Sequence, residues 1–376
     1  MRTNIRAVAV MVVGIVVAMA LLASPAAAED IVPGTPTVAS TAQYEQTLTA
    51  VPGAWTPADV SFSYQWFRDG VPVTDDSPAN AAHRLGGLDD IGRAFSVRVT
   101  GSRPGSTAVS VTSAPTAPVA AATLLTTKRP TVTGTARYGR KLTGHTGSFS
   151  RKVDGLDYRW LRDDRPISGA TGRHYTVRSA DVGARITFRV TARRAGFTPV
   201  AAVSRAKNVK QRAVRKVVRY SVTTRGNVKA SLSTFKRLAQ ETYDDPRGWR
   251  AMGVAFKRVS SGGDFTLVLS QASKVPSFSS ACSTTYSCRV GRNVIINENR
   301  WQNATPTWDD NDGTLRDYRH MVVNHETGHW FGRGHVGCGG KGQLAPVMQQ
   351  QSKGLGSCTI NPWPRKNELH APRYGW

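Results

Sequence analysis

The chain has 376 residues, 40% of them hydrophobic, and carries 50 lysines and arginines against 25 aspartates and glutamates, a formal charge of +25. Such a length suggests two or three domains and allows a sizeable core. The charge draws the protein to polyanions by salt-sensitive attraction. No recognisable nucleic-acid-binding motif accompanies it, which argues against specific nucleic-acid recognition. Anionic wall polymer, or plain solubilisation of exposed strands, is left as its use.

Arg2 and Arg6 precede an apolar run from Ala7 to Leu22 that ends in Ala26-Ala27-Ala28. That order is the one of a secretory signal peptide over residues 1–28, cleaved after Ala28. The rival reading is an uncleaved anchor, for which the run is somewhat short of the roughly 20 residues a span needs. No later stretch is apolar enough to cross a membrane: Val214 to Val222 is interrupted by Arg215, Lys216 and Arg219. The mature protein is therefore expected outside the membrane, secreted or associated with the cell wall.

Two copies of one unit follow, over residues 29–121 and 122–204. Tyr64-Gln65-Trp66-Phe67-Arg68-Asp69 aligns with Tyr158-Arg159-Trp160-Leu161-Arg162-Asp163, and Asp90-Ile91-Gly92 aligns with Asp181-Val182-Gly183. Apolar residues alternate in Phe62, Tyr64 and Trp66 and in Ile186, Phe188 and Val190, between Gly, Pro, Asp and Ser clusters, as in strands with one buried face. With a tryptophan and an Asp-x-Gly corner before a late strand, each copy resembles an immunoglobulin-like β-sandwich, similar to tandem wall-exposed modules of actinobacterial proteins. Neither copy contains cysteine, so burial alone must hold it. Trp66 and Trp160 read as core residues rather than sugar-stacking platforms.

A basic linker is expected over residues 205–213, passing into a strand through Val217, Arg219 and Val222. The last domain, residues 214–376, changes pattern. Leu232, Phe235, Leu238 and Ala239 recur at helical spacing behind a Ser231 or Ser233 cap. Residues 265–269 and 293–297 read as strands. Thr314 and Asp317 form a capping-box pattern for a helix whose apolar face, Leu315, Tyr318 and Val322, leads to His325.

Residues 325 to 335 read His-Glu-Thr-Gly-His-Trp-Phe-Gly-Arg-Gly-His. His325 and His329, four apart, lie one turn apart on one helix face and can reach a single ion, with Glu326 beside it and not on it. Gly332 can take the left-handed conformation that ends the helix, so that His335 supplies a third nitrogen. Three imidazoles suit zinc with an open fourth position, and a carboxylate so placed suits a general base. A closed structural zinc site would not need that glutamate. His320 and His370 read as surface residues. Four cysteines, Cys282, Cys288, Cys338 and Cys358, allow three pairings in an oxidising location. The preferred one is local, Cys282 with Cys288 and Cys338 with Cys358; a mixed Cys/His zinc site through Cys338 competes with it.

The histidine motif resembles the metzincin signature, with Met348 in Ala345-Pro346-Val347-Met348 matching the methionine turn. The wider pattern, including Gln349-Gln350-Gln351, Cys358 and Asn361-Pro362-Trp363-Pro364, is similar to an uncharacterised family of secreted actinobacterial proteins taken to be zinc metalloproteases, from about residue 215 to the end. The resemblance implies an α+β metzincin-like domain behind two all-β sandwiches, one Zn2+ on His325, His329 and His335, and a protein or peptide substrate. It implies a secreted endopeptidase acting through a zinc-activated water with Glu326 as general base. The alternatives are a zinc-dependent amidase on wall peptides and a non-catalytic wall adhesion or scaffold protein. The tyrosine that many metzincins carry near the methionine is absent here, so the oxyanion-stabilising residue is unassigned.

Overall fold

The computed structural model describes residues 29–376. The expected signal sequence lies outside the described residues.

In the first repeat, Thr37–Ala39, Thr47–Val51 and Ala82–Arg84 form one antiparallel sheet, and Val71–Pro72, Ser61–Arg68, Phe95–Ser102 and Val109–Thr112 form another. Phe95, Val97 and Val99 alternate inward along their strand and meet Leu48, Trp66 and Leu85 between the sheets. The indole Nε1 of Trp66, fully buried, donates to the Asn80 carbonyl at 2.8 Å, which satisfies its one polar atom. The second repeat repeats the plan. Thr131–Thr133, Lys141–His145 and His174–Thr176 make one sheet; Arg165–Pro166, Gly155–Arg162, Arg185–Arg193 and Val200–Val203 make the other. Trp160 sits opposite Phe188 on the neighbouring strand, ring centroids 4.9 Å apart, and donates to the Gly172 carbonyl at 2.9 Å. Both tryptophans are core residues in β-sandwiches, as expected.

The aligned Asp-x-Gly corners have a physical cause. Asp181 is wholly buried and accepts hydrogen bonds from the Tyr175 hydroxyl at 2.5 Å, the Arg178 N–H at 2.6 Å and the Arg162 guanidinium at 2.7 Å. Asp90 does the same for the Gly87 N–H and Arg68. Each arginine stands two residues after its core tryptophan, so the repeated sequence encodes a buried carboxylate that ties the corner to the central strand. Burial, reinforced by Asp181, pushes the Tyr175 phenol up to about 12, so it stays a donor.

The basic segment differs from expectation. Lys207–Asn208 pairs with Arg185–Arg193, and Val209 is buried in the second sandwich. The Arg212 side chain donates to the Ala251 carbonyl while its own carbonyl accepts from Arg250. The expected linker over residues 205–213 is thus largely absorbed, because backbone donors and an apolar valine are used by the folded units on either side. The strand that follows buries Val218 and Tyr220 and exposes Val217.

The last domain is built on a five-stranded sheet. We label its strands β1 (Lys216–Arg225), β2 (Val254–Arg258), β3 (Phe265–Ser270), β4 (Cys288–Val290) and β5 (Asn293–Asn297), and its helices α1 (Leu232–Asp244), α2 (Glu298–Asn303), α3 (Pro306–Asp309) and α4 (Leu315–Trp330). The sheet order is β2-β1-β3-β5-β4; all pairs are parallel except β5 with β4, which forms an antiparallel edge. β3 and β5 read as continuous apolar runs because both faces are covered. Leu267, Leu269, Val294 and Ile296 join the large core with α1 and α4, while Val268 and Ile295 face Val275 and Cys282. Ser231 caps α1 through the Thr234 N–H, and Phe235, Leu238, Ala239 and Tyr243 bury the expected stripe. No helix among the described residues is long and apolar enough to cross a membrane.

Replacing Asp181 with alanine strands Arg162 and Tyr175 and should cost about 3 kcal/mol, seen as a lower unfolding midpoint of the sandwich transition. Asp157→Ala, which removes an exposed pair with Arg193 on the same sandwich, should change the stability read from that midpoint by no more than about 1 kcal/mol.

Candidate metal centre

Helix α4 carries the site. Thr314 Oγ1 accepts from the Asp317 N–H at 3.1 Å and starts it as the capping pattern predicts. Eleven of its 16 residues are buried, including five polar ones that precede or enter the motif. Polar groups are tolerated there only with partners. Asn324 Nδ2 donates to the Pro362 carbonyl at 2.9 Å, and Thr327 shares a hydrogen bond with the Tyr243 hydroxyl at 2.9 Å. His320, expected at the surface, is buried: its Nδ1 lies 2.8 Å from Thr242 Oγ1 and its ring packs on Trp363. The helical face that the spacing assigns to solvent is covered by α1 and the C-terminal loops, and this overrides the simple reading.

The helix ends at Trp330, and Gly332 follows with φ of +92°, the left-handed turn expected of it. The chain then brings His335 back to the two helical histidines. His329 Nε2 lies 3.1 Å from His325 Nε2 and 3.0 Å from His335 Nε2. Across the ring, His325 Nδ1 is 2.8 Å from the Val347 carbonyl and His329 Nδ1 is 2.8 Å from the Arg333 carbonyl. A carbonyl only accepts, so both Nδ1 atoms carry the proton and both Nε2 atoms present lone pairs. Burial pushes His325 down to about 3, with the neighbouring His329 adding to it, and burial also lowers His329 and His335. The rings are therefore neutral.

Lone pairs facing one another at this range repel unless a cation lies among them. Ligand bonds of about 2.0–2.1 Å at tetrahedral angles place the nitrogens roughly 3.3 Å apart, close to the spacings here. The three residues thus fit a small, imidazole-preferring divalent ion, with one side open to a cleft of about 620 Å³. Glu326 faces the same cleft. It is 5% exposed, makes no hydrogen bond to a described side chain, and burial pushes its carboxyl up to about 8. A cation on the histidines would oppose that rise.

Met348 is fully buried beneath the motif. Gly328 lies directly over it, and a Cβ at that position would overlap the methionine sulfur. Glycine in a helix interior weakens the helix by about 1 kcal/mol; this one is explained by the close approach. The two disulfides form with the local pairing, Cys282–Cys288 and Cys338–Cys358, and no free cysteine remains, which removes Cys338 from the ligand set. Gln349 and Gln351 are used up in loop hydrogen bonds to the Leu355 and Asn361 carbonyls. Tyr286, inside the loop closed by Cys282 and Cys288, is among the residues that line the cleft.

One participant carries no local sequence signal. Glu368, 2% exposed, accepts from the Val347, Met348 and Arg365 N–H groups at 2.8 to 2.9 Å. The peptide unit whose N–H belongs to Met348 is the one whose carbonyl receives His325 Nδ1–H. Glu368 therefore polarises the acceptor that sets the tautomer of the first histidine, a supporting relay two bonds removed from the ion site.

A family model described as a protein of unknown function (DUF3152) matches residues 190–362, which include the whole histidine motif. No curated protein matches the chain. Among solved structures, the three N-terminal domains of the bacteriophage RB49 outer capsid protein Hoc are 19% identical, covering 51% of this chain and 65% of that one, with a TM-score of 0.25. Two fibronectin type-III domains of chicken tenascin are 13% identical over 46% of this chain and 97% of that one, TM-score 0.23. The amphioxus IgVJ-C2 molecule is 13% identical over 48% and 99%, TM-score 0.22. The chain spans less than two thirds of the Hoc fragment it matches. The β-sandwich description rests on the strand pairing given above.

Two substitutions probe this support. Gly328→Ala should cost about 1–3 kcal/mol by forcing the helix off Met348, measured from the denaturant midpoint of the last domain. Glu368→Ala should weaken metal retention by about 10- to 100-fold, measured by competition with a chelator of known affinity.

Proposed function

We propose that this is a secreted zinc-dependent endopeptidase whose last domain is a metzincin-like α+β unit, carried behind two immunoglobulin-like modules. The single observation that carries the reading is the convergence of three neutral imidazoles beside a buried carboxylate that has no hydrogen-bonding or ion-pair partner among the described residues and opens on a cleft. A closed structural site would need no such carboxylate and no open side. When bound there, zinc supplies Lewis-acid polarisation of a scissile carbonyl and acidifies the attacking water.

The chain's own groups supply the rest. Glu326, kept as a carboxylate where a cation on the histidines would offset the effect of its burial, accepts the proton of the attacking water and delivers it to the leaving nitrogen, returning to the carboxylate. Val347 and Arg333 hold His325 and His329 in the tautomer that leaves Nε2 free. Tyr286 lines the cleft and is the residue proposed to donate to a developing oxyanion. The outer edge of β4 pairs with no other strand, which leaves room for an extended peptide to lie along it. The two disulfides suit an oxidising location outside the cell. The sandwiches serve in this proposal as spacers or as weak binders of anionic wall polymer, the second offering 16 lysines and arginines against 5 aspartates over residues 122–204.

Glu326→Gln should retain about one equivalent of zinc and the wild-type melting temperature, while losing ~10^2 to 10^4 in the rate of peptide hydrolysis. His329→Ala should lose the metal as well. Metal analysis beside a peptide-library digest, with and without chelator, separates the two. Hydrolysis by Glu326→Gln at the wild-type rate would reassign the proton transfer. Zinc-loaded wild type that cleaves nothing would favour a binding or scaffold role.

A further inference from the structure

The lining of the cleft is unbalanced in charge. Glu326 is its one carboxylate, whereas Arg289, Arg333 and Lys353 are all cationic. Some exposed arginines of this domain find carboxylates, Arg237 and Arg316 with Glu241 and Arg247 with Asp245, and others such as Arg258 and Arg292 donate to carbonyls. The cleft cations do not. Arg333 leans on the His370 ring at 2.8 to 2.9 Å, and the Lys353 ammonium stands 5.2 Å from the centre of the Tyr286 ring. The guanidinium of Arg289 has no hydrogen-bond acceptor among the described residues, and its Nε is sealed from solvent.

Arg289 and Lys353 come from different segments of the chain. Arg289 is the middle residue of the edge strand β4, and Lys353 follows the methionine turn. Both line the same cleft as His325, Glu326, His329 and His335. A guanidinium taken partly out of water without a counter-charge is costly, and the cost is recovered only when an anion arrives.

We propose that the cleft selects anionic peptides, whose carboxylates are held by Arg289 and Lys353. The inference deepens the peptidase reading and rests on it for calling the bound chain a peptide. Carboxylate could come from acidic side chains or from a free C-terminus, and the test separates the two.

Full-length, zinc-loaded protein carrying Glu326→Gln binds without cutting, so affinity is read by fluorescence anisotropy with end-labelled octapeptides of one sequence. One has two central glutamates and an amidated C-terminus; the second has glutamines there and is amidated; the third has glutamines and a free terminal carboxylate. The glutamate peptide should bind about 10-fold more tightly than the amidated glutamine peptide at low salt, a margin that shrinks as salt rises. A gain confined to the third peptide supports the same site with the chain terminus as the anion. In either case Arg289→Gln with Lys353→Gln should reduce the margin to about 2-fold or less, with an unchanged melting temperature. Equal affinities for all three peptides, no binding of any, or a preference that survives the double substitution would each overturn the inference. Cleavage is scored separately with zinc-loaded wild type: if it cuts none of the peptides while the binding preference stands, the peptidase reading fails and the anion-selective cleft remains.

Discussion

Three imidazoles, with His329 Nε2 held 3.1 Å from His325 Nε2 and 3.0 Å from His335 Nε2, are the constraint around which the last domain is organised. Such a cluster repels itself in the absence of a cation, so every ring must be held from outside. Two are one helical turn apart on α4, and each donates its other nitrogen to a fixed carbonyl. The third arrives only because Gly332 reverses the chain at positive φ. Each carbonyl is itself anchored. That of Val347 lies in a loop held by the Glu368 carboxylate and bounded by the Cys338–Cys358 bridge, and that of Arg333 lies in the turn closed by its own N–H on the Gly328 carbonyl.

The burial of α4 follows from the same demand. An amphipathic surface helix would let its polar face move with solvent, whereas this one is packed by α1, the sheet and the C-terminal loops. Its buried polar residues then need partners, and the partners become cross-links: His320 to Thr242, Thr327 to Tyr243, Asn324 to Pro362. Glu326 is the exception, and a buried group without a partner is where chemistry is expected. The aromatic core beneath, with Trp249, Phe265, Trp330 and Phe331 in edge and tilted contacts, gives the helix a stiff bed.

The sandwiches solve a different problem. Without cysteines they rely on a tryptophan between the sheets and on a buried aspartate that gathers an arginine and backbone donors at one corner. The same device appears twice because the arginine, two residues after the tryptophan, and the aspartate of the Asp-x-Gly corner recur together in sequence. Their remaining charge differs: residues 29–121 carry 5 lysines and arginines against 9 aspartates and glutamates, and residues 122–204 carry 16 against 5, so only the second module is basic.

The features legible in the sequence were those written locally. The histidine spacing, the Thr314 and Ser231 caps, the Gly332 turn, the alternating strands and the repeat all depend on residues a few positions apart, where helix and strand geometry leaves little choice. The local disulfides belong with them, since short loops close most readily. Other features were decided only by the tertiary structure. Glu368 reaches the methionine turn from 20 residues away, Gly328 is explained by a methionine it meets only in the folded domain, and Arg289 comes to the cleft on an edge strand whose place in the sheet no periodicity specifies. His320 is buried for the same reason, and the expected basic linker is taken up by its neighbours. Local geometry follows from backbone sterics and spacing, but which distant group satisfies a buried donor, or stands beside an ion, depends on packing that only the assembled chain contains.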